Sequence, residues 1–157
     1  MTTSKKIDSK LERAMRDSLK AYSAGDKRFF DFLRDDVRVY SLDSVTPTVG
    51  RKAFEAAFAP TFKTKRKVSI LHSDVQPSGN QAVLSQTLQV SINGIDTVVR
   101  QTVIWEQAAN GDWQMTHIHN AQVGQPVVSG KAPQTVAAVR VLNERIATVA
   151  AVFGVAQ

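Results

Sequence analysis

From Lys67 to Ala121 apolar and polar residues alternate with a period of two, the pattern of strands with one buried face. Val68 to Gln76 reads as a strand stopped by Pro77-Ser78-Gly79-Asn80, and Gln81 to Ile92 as a longer one. Asn93-Gly94 is a two-residue hairpin turn into Ile95 to Gln107, because both positions of such a turn need positive φ. The segment Ala108-Ala109-Asn110-Gly111-Asp112 turns the chain again. In the arm that follows, Trp113, Met115, His117, His119 and Ala121 share one face, and Gln114, Thr116, Ile118 and Asn120 the other. Four consecutive antiparallel strands joined by tight turns predict an open, strongly curved sheet.

The first third of the chain has helical spacing instead. Ile7, Leu11, Met15, Leu19 and Tyr22 predict a helix over 4–24, capped by Ser4 or Asp8 and ended by Gly25. Asp26 caps a short second helix with Phe29, Phe30, Phe32 and Leu33 on more than one side. Val37 to Ser41 is a short strand, and Leu42 to Gly50 a loop. Arg51 to Phe62 is a third helix with Phe54, Ala57, Phe58 and Phe62 on one stripe, its last turn distorted by Pro60. So much aromatic surface on short helices needs a curved sheet to lean on. Beyond the last strand, 124–133 is a linker by composition. Residues 134–157 are expected to form a C-terminal helical extension, with Val139, Leu142, Ile146, Val149 and Phe153 on one stripe.

With 157 residues, of which 43% are hydrophobic and 22% charged, the chain is one ordinary globular domain. It has no cysteine, which excludes disulfides, thiolate metal sites and a cysteine nucleophile. No apolar leader or membrane-spanning stretch is present, so a cytoplasmic location is the expectation. The net charge of +6 is lopsided: residues 1–67 hold 16 Lys/Arg against 9 Asp/Glu, and 68–157 hold 4 against 5. Lys63-Thr64-Lys65-Arg66-Lys67 is the densest run. No aromatics interleave it, so it reads as a solvated loop and not as a nucleic-acid groove.

The order helix, helix, strand, helix, then a four-stranded meander resembles the SnoaL-like superfamily, also named after nuclear transport factor two. The branch containing the association domain of calcium/calmodulin-dependent protein kinase is the nearest in pattern. The residues that carry the likeness are Gly50-Arg51-Lys52-Ala53-Phe54, Thr102-Val103-Ile104-Trp105, Asn110-Gly111-Asp112-Trp113 and Thr116-His117-Ile118-His119-Asn120. The resemblance covers about 4–123, so residues 1–123 are expected to be the SnoaL-like domain. The resemblance implies an α+β fold, a cone-shaped barrel of strongly curved antiparallel sheet around N-terminal helices, here with an extra C-terminal helix. It also implies a cavity at the wide end and a homodimer formed through the sheet face. Two departures stand out. The pocket arginines of the kinase association domain would fall at Val103 and Asn120, and the final helix lies beyond the usual family boundary.

The same resemblance places Gln101, Val103 and Trp105 on the cavity face with Thr116, Ile118 and Asn120, beside Tyr22, Phe58 and Phe62. An apolar lining with a few polar groups suits a small organic ligand, and it equally suits a filled core. Arg100 is the only cation between Lys67 and Lys131; it faces a ligand carboxylate or solvent. His117 and His119 with His72 would make part of a metal site, but no nearby carboxylate completes it and no metal or cofactor is expected; the resemblance implies a structural role for the pair at the sheet or subunit interface. Acid–base chemistry would need Tyr40, Asp43, His117 or His119, with Tyr22 and Glu106 behind them. The reading that follows is a non-catalytic small-molecule-binding or assembly module. Its alternative is a small cofactor-independent isomerase, cyclase or dehydratase acting in the cavity.

Overall fold

The computed structural model describes residues 6–42 and 44–129. Asp8 caps helix α1, Ser9–Ala24, its carboxylate accepting from the Lys10 backbone amide at 3.0 Å. Ser4, the other capping candidate, lies outside the described residues, as do Asp43 and the proposed extension 134–157. Gly25 ends α1 at φ 66°, where the helix C-terminus meets a neighbour closely. A Cβ there would stand 2.5 Å from the Phe62 carbonyl oxygen. A 3-10 segment, Lys27–Phe32, follows under an Asp26 cap and leads into β1, Leu33–Tyr40.

The loop after β1 holds a two-residue strand, β2 (Thr48–Val49), which no periodicity along the chain marks. Helix α2, Arg51–Phe58, gives way at Pro60 to a 3-10 segment, Ala59–Lys63, the distortion that proline was expected to cause. The meander is β3 (Arg66–Ser78), β4 (Gln81–Ile92), β5 (Ile95–Gln107) and β6 (Trp113–Val128). Asn93 and Gly94 take φ of 51° and 74° in the predicted hairpin turn.

The strands form one sheet in the order β2-β1-β6-β5-β4-β3. The sheet is open, as the meander predicts, with β2 and β3 as its edges, so the barrel is not closed; it is mixed and not wholly antiparallel, because β1 runs parallel to β6. Residues 124–128, assigned to a linker by composition, continue β6. They can do so because β1 pairs with β6 only as far as His119 and leaves the rest bonded to β5 alone. The register there shifts between Asp96 and Val98, and Pro126 sits in that bulge, where a missing ladder donor does least harm.

One apolar core joins the helices to one face of the sheet. Leu11, Phe30, Leu33, Val37, Val99 and Trp105 are among its fully buried side chains. The six rings of Tyr22, Phe29, Phe30, Phe54, Phe58 and Phe62 contact one another in a chain of stacked and edge-on pairs. Burying each ring contributes area, and each offset or edge-on contact adds about 1 kcal/mol beyond it.

Candidate functional site

Strand alternation alone would make the core-side face of β4 entirely apolar. Ala82, Leu84, Leu88, Val90 and Ile92 are all buried on it, and Gln86 interrupts them, equally buried. Gln86 lies opposite Gln101 of β5, and Gln101 opposite Asn120 of β6. The three amides form a ladder across three strands. Gln86 Nε2 donates to Gln101 Oε1 at 2.6 Å, and Gln101 Nε2 donates to Asn120 Oδ1 at 2.9 Å. The outer ends of the ladder are the Gln86 carbonyl oxygen and the Asn120 amide nitrogen, one acceptor and one donor.

This ladder borders a cavity of about 740 Å³ between the sheet, α1 and α2. Leu84, Leu88, Val103, Trp105 and Ile118 line its sheet side, and Tyr22, Phe29, Phe54 and Phe58 its helix side. Its rim is formed by Glu12, Arg16 and Lys20 of α1, with Ile70 and Ser73 of β3. The Trp105 indole nitrogen is buried with no hydrogen-bond partner among the described residues.

Of the residues assigned to the cavity from sequence, Tyr22, Phe58, Gln101, Val103, Trp105, Ile118 and Asn120 line it. Three do not. Thr116 is replaced by Met115, because a register shift between Ile104 and Trp105 pairs Ile104 with His117 but Trp105 with Met115. Thr116 is the extra residue of that bulge, and its hydroxyl donates to the Ile104 carbonyl at 3.4 Å. Strict alternation along β6 therefore fails: Trp113 and Met115 face inward together with Ile118 and Asn120. Phe62 packs behind the wall against Tyr22, Phe29 and Phe58. Arg100 is exposed, since odd-numbered positions of β5 face inward and it is even.

The histidines lie elsewhere. His117 and His119 sit on the opposite face of the sheet, their rings 5.3 and 5.8 Å from that of Tyr40. Partial burial holds His117 below its ordinary pKa, helped by repulsion from His119 and Arg38. His72 is on β3, three strands away, and among the described residues no three His, Asp or Glu side chains group to hold a metal. Tyr40 is thus outside the cavity, and Glu106 answers to Arg34 (3.1 Å) and Gln81 (3.2 Å) at its own strand end.

The basic run is not uniformly solvated. Lys63, Lys65 and Lys67 are exposed, but Arg66 is only 8% exposed. Its guanidinium lies 5.0 Å from the centre of the Tyr22 ring and 4.8 Å from that of Phe62. Burial raises the pKa of the Tyr22 hydroxyl, opposed in part by the positive charge of Arg66 and by hydrogen bonding with its side chain. Gln86, Met115, Phe29, Phe54 and Arg66 are the residues of this region that sequence reasoning passed over. Gln86 and Arg66 carried a readable sign, each a polar side chain in phase with apolar neighbours on its strand.

The family model described as the SnoaL-like domain matches residues 11–123. Among curated proteins none matches the chain. Solved structures do. A nuclear transport factor 2-like protein of unknown function from Pseudomonas putida is 16% identical with a TM-score of 0.65, covering 72% of this chain and 84% of its own. A candidate ketosteroid isomerase from Shewanella frigidimarina is 15% identical with a TM-score of 0.64, covering 72% and 95%. The hub of a calcium/calmodulin-dependent protein kinase II from S. rosetta is 15% identical with a TM-score of 0.62, covering 77% and 100%. At such identities the likeness is one of fold.

Proposed function

Because this chain belongs to the SnoaL-like domain family, we propose that it binds a small, largely apolar organic molecule in the cavity between sheet and helices. The observation that carries the reading is the pairing of an apolar chamber of about 740 Å³ with one uncharged ladder, Gln86–Gln101–Asn120. Such a chamber removes hydrophobic surface from water, while the ladder's two free ends orient one polar group of the ligand. Acid–base catalysis would ask for a carboxylate or imidazole beside that group. Among the described lining residues the only one is Glu12, exposed on the rim, so binding is favoured over an isomerase, cyclase or dehydratase.

The test is what the protein carries when purified under native conditions. Mass spectrometry should find a bound organic molecule that is lost from Trp105→Ala/Asn120→Ala and kept when Lys63, Lys65 and Lys67 are changed to Gln. Loss in the lysine variant alone would defeat the reading. Nucleic-acid binding by those lysines should be weak and salt-dependent, at roughly micromolar or poorer affinity.

Assembly is a second part of the proposal. The outer face of the sheet carries Tyr40, His117 and His119 with no helix of the described chain packed on it. Two such faces back to back would make an isologous homodimer. Sedimentation velocity at micromolar concentration should give twice the 17.2 kDa of one chain, and a monomer would contradict it.

A further inference from the structure

The rim of the chamber is built by α1 on one side and β3 on the other. Ile70 of β3 lines it while 53% exposed, and its neighbour Leu71 is 55% exposed. The register of β3 against β4 shifts between Ile70 and His72, so Leu71 is the unpaired residue of a bulge. Because β3 is an edge of the sheet, no further strand covers the pair. Two adjacent large aliphatic side chains thus stand in water at the mouth of an apolar cavity. The same rim is rich in cations. Arg13, Arg16 and Lys20 are exposed along α1, the last two on the rim itself, where Glu12 is the only carboxylate among the described lining residues. Lys63 and Lys65 are exposed near the end of that helix, where Phe62 closes against Gly25. Asp17 answers Arg16 at 3.4 Å, but Arg13, Lys20, Lys63 and Lys65 form no ion pair among the described residues.

A partner for this surface has to meet exposed aliphatic groups and unpaired positive charge together. An added strand is disfavoured, because the bulge breaks the regular edge that strand pairing needs. Single-stranded nucleic acid would stack its bases on exposed aromatic rings, and the exposed large side chains here are Ile70 and Leu71. An anionic lipid surface meets both demands, with phosphates for the cations and an acyl boundary for the aliphatic pair. We propose that the mouth of the cavity docks on an anionic phospholipid bilayer, with Ile70 and Leu71 at the headgroup boundary and the cations of α1 against the phosphates. In that position an apolar molecule passes between the lipid and the chamber without crossing water. The passage rests on the binding function proposed above, whereas the docking stands without it. The outer face of the sheet, with Tyr40, His117 and His119, takes no part.

The test is co-sedimentation of the full chain with vesicles of phosphatidylcholine, alone or with about one-third phosphatidylglycerol, at about 0.1 M salt. Binding to the anionic vesicles should exceed binding to the neutral ones about tenfold or more, and about 0.5 M salt should remove most of it. Ile70→Ser/Leu71→Ser should weaken it about tenfold through lost apolar contact, and Arg16→Gln/Lys20→Gln by a similar factor through lost charge. Arg100→Gln removes an exposed cation from the other face of the sheet and should change binding by less than about twofold. Equal binding to both vesicles, binding to neither, or binding that the serine variant leaves unchanged would overturn the docking. So would DNA that binds as tightly and loses affinity in the same variants. Ile70 and Leu71 are exposed, so the serine variant should fold, and the wild-type pair of vesicles decides even if it does not. A titration with decanol tests the chamber separately: decanol binding without vesicle binding keeps the cavity function and removes the docking.

Discussion

Two sets of polar groups are buried on the inner side of this sheet, and the chain satisfies them unequally. Gln86, Gln101 and Asn120 close on one another across β4, β5 and β6. Tyr22 and Arg66 meet at the aromatic end, where the guanidinium lies against two rings, donates to the Thr61 and Thr64 carbonyls, and has no carboxylate partner among the described residues. The ladder is neutral and its inner amide bonds are paired, so it can sit in an apolar wall with only its two ends left for a ligand's polar group. A buried cation without a carboxylate partner among the described residues is a cost that ring faces and carbonyls offset only in part. The contrast separates a neutral set that borders the cavity from a charged one held behind its aromatic wall.

The largest break in that contrast comes from the backbone under the aromatic end. Gly25→Ala needs a left-handed alanine whose Cβ would stand 2.5 Å from the Phe62 carbonyl. Strain and displacement together should cost about 2–4 kcal/mol in chemical unfolding. The displacement should disturb Phe62 and Arg66 and leave the ladder intact. Next comes Gln101→Leu, which removes the middle rung and leaves the amides of Gln86 and Asn120 facing a methyl group. A loss of about 2–3 kcal/mol is expected, read as a shifted denaturation midpoint with unchanged slope.

A reference outside the cavity sharpens the comparison. Asp8 uses its carboxylate fully, capping α1 through Lys10 and accepting the Trp113 indole N–H at 3.0 Å. These bonds, that of Trp113 first, hold its pKa below the ordinary carboxylate value of 3.8. A lowered folded-state pKa means stability that is present above the unfolded value and lost as pH falls through the folded one. Wild-type melting temperature should therefore drop in acid below that value, and Asp8→Asn should flatten this part of the profile. The smallest effect belongs to Arg66→Met. Although Arg66 is as buried as Asn120, both 8% exposed, replacing an unpaired cation by an apolar side chain should change stability by no more than about 1 kcal/mol.

The strands that sequence located best are those with an uninterrupted period of two between strong turns: Gln81–Ile92 and Ile95–Gln107 start and stop where the pattern does. What escaped depends on partners. The bulge at Thr116 exists because β6 must match the register of β5, and a pattern read along one strand contains no trace of its neighbour. The two residues of β2 form a strand only because Arg38 and Val39 pair with them. The ladder was two-thirds visible, in Gln101 and Asn120, and its third member needed the pairing of β4 with β5. Arg66 was hidden by its company. A cation inside a basic run reads as solvated, and only its phase with Val68 and Ile70 sets it apart from Lys65 and Lys67.

The central claim, a cavity that takes a small apolar molecule, can be read from the protein's two tryptophans. The Trp105 indole N–H is buried in the cavity wall without a partner among the described residues, whereas that of Trp113 is held by Asp8 away from it. Two-dimensional ¹⁵N–¹H spectra recorded during a titration with decanol follow both indole signals separately. The account predicts that the Trp105 signal moves and saturates while the Trp113 signal stays in place. A Trp105 signal unmoved at saturating probe, or movement confined to Trp113, would contradict it.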